Sequence, residues 1–146
     1  MSTTNTESRS NVDQIEQEES QPSPSVLTWR TLDTAHSRLA NELSTTLQRQ
    51  YNLSLNAHAV LAQLVKAPDR KLRMTEIANL IDFSLSGLTG LVGRLERDGL
   101  IERQSNFADR RVIYARLTDA GERYAHEANA RYQQSLDALI GERLTP

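Results

Sequence analysis

The sequence predicts a mainly α domain carrying one small β hairpin, and three observations predict it. From Trp29 onward, apolar residues recur every three or four positions, the period of amphipathic helices. Two short runs, Leu100 to Gln104 and Val112 to Leu117, break that period and flank a polar tip as two strands would. Between the periodic segments stand residues suited to capping or stopping helices: Asn52, Ser54, Thr75, Ser84, Gly99 and Thr118.

Residues 1 to 24 (MSTTNTESRSNVDQIEQEESQPSP) are Ser, Thr, Gln and Glu with almost no large apolar residue. Such a segment cannot bury enough surface to offset its ordering entropy. It is expected to be a disordered acidic tail, with at most a nascent helix around Val12 to Glu19. Trp29, Leu32, Ala35 with His36, Leu39, Leu43 and Leu47 then form one face of a long helix, which Asn52 stops in a left-handed conformation. Ser54 caps a second helix bearing Val60, Leu61, Leu64 and Val65, ended by Pro68. Thr75 caps a short third helix, Glu76 to Ile81, with Ile77, Leu80 and Ile81 inward.

Asp82 and Phe83 turn the chain into a fourth helix, capped by Ser84 and running to Asp98, with Leu85, Leu88, Leu91, Val92 and Leu95 on its apolar stripe. Gly99 stops it, and the two strands follow around a tip ending in Asp109-Arg110-Arg111. Thr118 opens a last helix with Tyr124, Ala128, Tyr132, Leu136, Leu139 and Ile140. Helix, tight turn, helix and a two-stranded β wing together make a winged helix-turn-helix core over residues 54 to 118. The flanking helices, 25 to 52 and 118 to 146, carry apolar stripes that so small a core cannot cover. They are expected to be N- and C-terminal dimerisation helices of one domain spanning 25 to 146.

Composition narrows the function. At 146 residues the chain fits one domain or a tightly merged pair. It has no cysteine, which excludes disulfides, thiolate zinc sites and thiol redox switches. No apolar run approaches the roughly 20 residues of a membrane span, and no signal segment opens the chain, so a cytoplasmic protein is expected. A glycine-rich phosphate loop, a nucleophile motif and a metal-ligand cluster are all missing, so neither an enzyme nor a cofactor is expected. His36, His58 and His126 stand too far apart to suggest a metal site. Formal charge is −2, but Glu7, Asp13, Glu16, Glu18 and Glu19 against Arg9 give residues 1 to 25 a charge of −4, leaving the body at +2. A weakly basic body is compatible with nucleic acid, and the acidic tail either solubilises it or screens it from non-specific contact.

A winged helix-turn-helix can put its recognition helix in a DNA major groove and a wing cation in the adjacent minor groove. On the recognition helix the candidates for DNA are Ser84, Ser86, Thr89 and Arg94; hydroxyls near a helix N-terminus bond phosphates or base edges. Ser84 also serves as the cap, and Arg94 could instead pair with Asp98 at i+4. At the wing, Arg110 and Arg111 are the strongest candidates, with Asp109 expected to pair with Arg111 and orient the tip.

Three stretches carry a resemblance to the MarR family (multiple antibiotic resistance regulators): LRMTEIANL (72 to 80), SGLTGLVGRLERDGLIER (86 to 103) and ADRRVIYARLTDAG (108 to 121). The last holds the family's wing signature, Asp-x-Arg then Leu-Thr, at Asp109, Arg111, Leu117 and Thr118. The resemblance implies a homodimeric, ligand-responsive transcriptional regulator, usually a repressor, binding double-stranded DNA. The chain departs from the family at Gly87, Gly90 and Gly93, where relatives usually offer side chains, commonly an Arg near 90 and an Asp near 93. Without an Arg at 90, bidentate guanine readout is less available, and sequence choice leans on shape and the wing. These glycines also keep open a sensing or protein-interaction module that no longer reads DNA. A second departure is the ending at Leu144-Thr145-Pro146, where relatives often add another dimer helix; a looser dimer is expected. Effectors in the family are often aromatic anions held between dimer helices and DNA lobe. That points to Trp29, Arg30, His36, His58 and Arg73 as ligand candidates, with Trp29 an aromatic wall and Arg73 or Arg30 a carboxylate partner. Ala59 falls where urate-responsive relatives place an acidic residue, which argues against urate.

Overall fold

A computed structural model describes the backbone of residues 21–144 and the side chains of residues 21–141. Most of the expected acidic tail, its nascent helix at Val12 to Glu19, and Thr145-Pro146 lie outside the described residues. Two compact units meet in sequence at Ser37 and Arg38.

Helix α1 (Pro24–Tyr51) begins in the first unit. Pro24 sits in its first turn, where a missing N–H leaves no bond unmade. The Ser23 carbonyl accepts from the Leu27 N–H at 3.0 Å. In this unit Val26, Leu27, Trp29 and Leu32 are all exposed, Trp29 at 68%.

The second unit opens on the rest of α1, whose Leu43 and Leu47 are buried. Asn52 ends the helix in the left-handed region (φ 50°), its N–H donating to the Gln48 carbonyl at 3.1 Å. The Ser54 hydroxyl caps α2 (Leu55–Lys66) by accepting from the Ala57 N–H at 3.1 Å. A 3-10 turn (Pro68–Arg70), with Asp69 and Arg70 both left-handed, leads to β1 (Lys71–Arg73).

Helix α3 (Met74–Leu80) starts earlier than the sequence suggested. Thr75 lies inside it, and the cap is Arg73, whose N–H donates to the Glu76 carboxylate at 2.8 Å. The shift changes the inward face: Met74, Ile77 and Ala78 are buried, while Leu80 is 56% exposed. Asp82, at φ 50°, makes the turn, and the Phe83 N–H returns to the Ala78 carbonyl at 2.9 Å.

Helix α4 (Leu85–Arg97) and the hairpin β2 (Ile101–Ser105) and β3 (Ile113–Leu117) follow, then α5 (Asp119–Leu144). The sheet has three antiparallel strands in the order β1-β3-β2, with Leu72 and Arg103 both opposite Ala115. The two wing strands form where the sequence placed them, each beginning one residue later than read. The third, β1, has too few residues to show a period and forms only because β3 supplies its partner. The core collects Leu47, Leu61, Leu64, Ile77, Leu88 and Leu117, all at most 1% exposed.

Thr118 ties the wing root to α5. Its N–H donates to the Leu100 carbonyl at 3.1 Å, and its hydroxyl donates to Gly99 O at 2.7 Å while accepting from the Gly121 N–H at 2.9 Å. Gly99, at φ 73°, supplies the left-handed stop. Gly121 lies against Leu100 so closely that a Cβ there would stand 1.9 Å from the Leu100 carbonyl oxygen. Arg70 adds ion pairs to Asp119, at 3.1 Å, and to Glu122.

Candidate nucleic-acid interface

Helix α4 is divided into two faces. Leu88, Leu91, Val92 and Leu95 are buried, which turns Ser86, Thr89, Gly90 and Arg94 outward. Hydroxyl chemistry separates the three candidate side chains. Ser84 accepts the Gly87 N–H at 3.1 Å, which leaves its own proton free to donate to an anion. Ser86 is exposed. Thr89 donates its proton to the Leu85 carbonyl at 2.8 Å, so toward an outside group it offers a methyl and an acceptor, a poor phosphate contact. Arg94 makes no ion pair with Asp98 and lines a groove with Gln48, Asn52, Ser54 and Asp98.

The three glycines of α4 are not equivalent. A Cβ at Gly87 would meet the Phe83 ring and the Ser84 hydroxyl, each at 2.9 Å, so Gly87 lets the turn residue pack under the helix start. A Cβ at Gly90 or Gly93 would meet nothing within 4 Å. Those two leave open backbone on the outward side of the helix.

The wing tip is held by its own polar groups. Asn106 N–H donates to the Val112 carbonyl at 2.9 Å, and Val112 N–H to the Asp109 carbonyl at 3.0 Å. The Asn106 side chain accepts the Ala108 N–H at 2.9 Å, and the Asp109 carboxylate accepts the Arg111 N–H at 3.0 Å. Asp109 also grips the Arg111 guanidinium at 3.2 Å, and that contact holds its carboxyl below the usual range. Arg111 remains 92% exposed despite the pair, and Arg110 is exposed beside it. Both cations therefore face solvent from a hydrogen-bonded tip.

Two further cationic features stand beside the wing: Arg103, which the sequence did not mark as a site residue, and Arg73, which it marked only as a ligand candidate. Arg103 on β2 pairs with Glu96 on α4 at 2.7 Å, and its N–H donates to the same carboxylate at 3.3 Å. Arg73 stands over the Tyr114 ring with Lys71, and its Nε donates to the Tyr114 hydroxyl at 3.3 Å. Arg73, Arg103 and Arg111 then line one open cleft of about 220 Å³ with Thr75, Leu85 and Thr89. These arginines come from three elements, so only the folded chain brings them together. Phe107, at the wing tip, is also an outlier: it is 105% exposed. Its one sequence signal is being the sole large apolar residue of a polar tip.

The ligand candidates fall differently. Trp29, Arg30 and His36 are exposed residues of the first unit, whereas His58 and Arg73 belong to the second. Arg73 is exposed and lines the cleft; His58 is 7% exposed and does not. The His58 ring stacks on Tyr132 at 4.4 Å between centroids, its Nε2 is buried without a partner, and burial pushes its pKa down. Among the described residues, no group of three or more His, Cys, Asp or Glu is placed to hold a metal, and no helix is long and apolar enough to cross a membrane.

A family profile described as "MarR family" matches residues 51–112. Among solved structures, the chain is similar to Sco3205, a MarR family transcriptional regulator from Streptomyces coelicolor solved in complex with DNA. Identity is 30%, covering 86% of this chain and 82% of that one, with a TM-score of 0.79. The fold is also shared with a mutant of MarR from E. coli complexed with operator DNA, at 21% identity over 82% of this chain and 84% of that one, TM-score 0.70. Among curated proteins, the HTH-type transcriptional repressor MdtR of Bacillus subtilis is 43% identical over 63 residues, 43% of this chain and 39% of that protein. The repressor YetL of the same organism is 35% identical over 69 residues, 47% of this chain and 41% of its own length. The matched stretch thus spans about two fifths of these two curated relatives.

Proposed function

This chain belongs to the MarR family, and from that premise we propose that it is a DNA-binding transcriptional regulator, not an enzyme, that acts in the cytoplasm. It is a ligand-responsive repressor that binds a pseudo-palindromic operator as a homodimer. The carrying observation is that α4 buries its leucines and turns Ser84, Ser86 and Arg94 outward, while the wing presents Arg110 and Arg111 from a hydrogen-bonded tip. Ser84 and Ser86 donate to phosphate, Arg94 reaches backbone or base edges, and the wing arginines enter the minor groove, where negative potential is concentrated. A DNA-bound relative at 30% identity supports the same docking. The exposed Val26, Leu27, Trp29 and Leu32 support a second copy as the partner of α1, and two copies match a palindrome with half-sites about 10 base pairs apart. The effector is a small aromatic anion, a carboxylate or phenol, for which the exposed Arg73 guanidinium on the second unit's cleft is the carboxylate partner. Fluorescence anisotropy with a duplex selected from a randomised library, against unselected duplex, tests the reading. Tighter binding of the selected duplex, in a ratio of two chains per duplex, is expected. Equal binding of both refutes it.

A further inference from the structure

The wing tip holds two successive side-chain turns, and each projects its middle residue. The Asn106 side chain bonds the Ala108 N–H and so frames Phe107; the Asp109 carboxylate bonds the Arg111 N–H and so frames Arg110. Arg110 needs no explanation at an exposed tip. Phe107 does. Its exposure of 105% sets it apart from every other exposed large apolar side chain among the described residues, which lie between 37% and 68%. An aromatic ring in water forgoes the burial that favours apolar side chains elsewhere, and a tip this short has no surface of its own to offer.

We propose that Phe107 is a second reader at the wing tip, an apolar wedge that enters the DNA minor groove beside the wing arginines and favours a flexible pyrimidine–purine step there. The inference rests on the DNA-binding reading and deepens it. The neighbours decide the partner. Arg110 and the 92% exposed Arg111 share the tip with Phe107, so whatever covers the tip must combine negative charge with an apolar cleft. The minor groove has both, with phosphates on its rims and deoxyribose along its walls. Apolar wedges inserted there unstack one base step, at least cost where the step is pyrimidine–purine. An acidic protein surface with an aromatic pocket is the competing occupant.

The tip's hydrogen bonds are made by Asn106, Asp109 and backbone, none by the Phe107 side chain, so Phe107→Ala and Phe107→Leu leave the hairpin intact. The probe is a duplex selected from a randomised library by the parent protein, with the wing-facing step then set to TA or to GC. Phe107→Ala should weaken the TA duplex about tenfold, the loss of roughly one aromatic contact, and should narrow the preference for TA over GC. Because no charge is removed, its salt slope should match the parent's, whereas Arg111→Ala lowers that slope by about one. Phe107→Leu should keep part of the preference. Unchanged affinity and step preference in Phe107→Ala, while Arg111→Ala weakens binding, overturns the proposal and leaves the wing in the groove. A Phe107→Ala effect confined to capture by an acidic protein overturns it too. If the parent prefers no selected duplex to random DNA, both readings fall.

Discussion

Replacing Gly121 by alanine should unfasten the wing root from α5. The new Cβ would stand 1.9 Å from the Leu100 carbonyl oxygen and 2.8 Å from its carbon, where side-chain carbons stay beyond 3.0 Å of backbone atoms. Neither side can yield freely. The Leu100 carbonyl is bonded to the Thr118 N–H, and Thr118 in turn bonds Gly99 O and the Gly121 N–H. Opening the contact stretches all three bonds, each worth about 0.5–1.5 kcal/mol, and adds overpacking strain of about 1–3 kcal/mol. Alanine's better helix propensity returns only about 0.5–1 kcal/mol. The net loss is about 4 kcal/mol, a large share of the roughly 5–15 kcal/mol that holds a domain together. Urea unfolding followed by far-UV circular dichroism measures it. Gly90→Ala is the control: its Cβ meets nothing within 4 Å, so it should gain about 0.5–1 kcal/mol. A Gly121→Ala loss below about 0.5 kcal/mol would refute the claim that two backbones touch there.

Three further outcomes are expected. Arg111→Ala should weaken operator binding by about 1–3 kcal/mol, and Arg110→Ala should lower the salt slope by about one; parent-like binding by both variants across a salt titration would remove the wing from DNA. Burial holds the His58 pKa in the folded chain below that of the unfolded chain, which is about 6.5. Its share of stability is therefore complete above that pH and declines as pH falls toward the lowered folded value, by at most ~1.4 kcal/mol per pH unit. His58→Gln should flatten that slope in urea titrations, and an identical slope would assign the pH dependence to other groups. Sedimentation with the selected duplex should give two chains per duplex, and a one-to-one complex would rule out the homodimer.

What could be read from the sequence was local. Asn52, Ser54, Ser84, Gly99 and Thr118 each act on a helix end through bonds within a few residues, so residue type and apolar period located them. Thr75 misled because a threonine ahead of an apolar run looks like a cap; Glu76, bonding back to the Arg73 N–H, starts α3 earlier and leaves Leu80 in solvent. Strand β1 was invisible because its pairing to β3 spans some forty residues of sequence. The glycines of α4 looked alike in sequence, yet the direction of the Phe83 ring separates Gly87 from Gly90 and Gly93. His58 illustrates the same limit: its spacing said nothing of Tyr132, which lies on another helix. The arginine-lined cleft depends on three elements converging, which no window of sequence contains.

The pair between Glu96 and Arg103 makes α4 and the hairpin behave as the two jaws of a fixed caliper. In the proposed docking, with one jaw in a major groove and the other in the neighbouring minor groove, the gap between them would become a gauge of helical pitch. A duplex overwound or underwound between those grooves would have to twist to fit, since the jaws are joined near their base. The intervening base pairs, which no side chain touches, would then be selected by torsional compliance, and a nick placed between the grooves should relax that selection without altering a single contact.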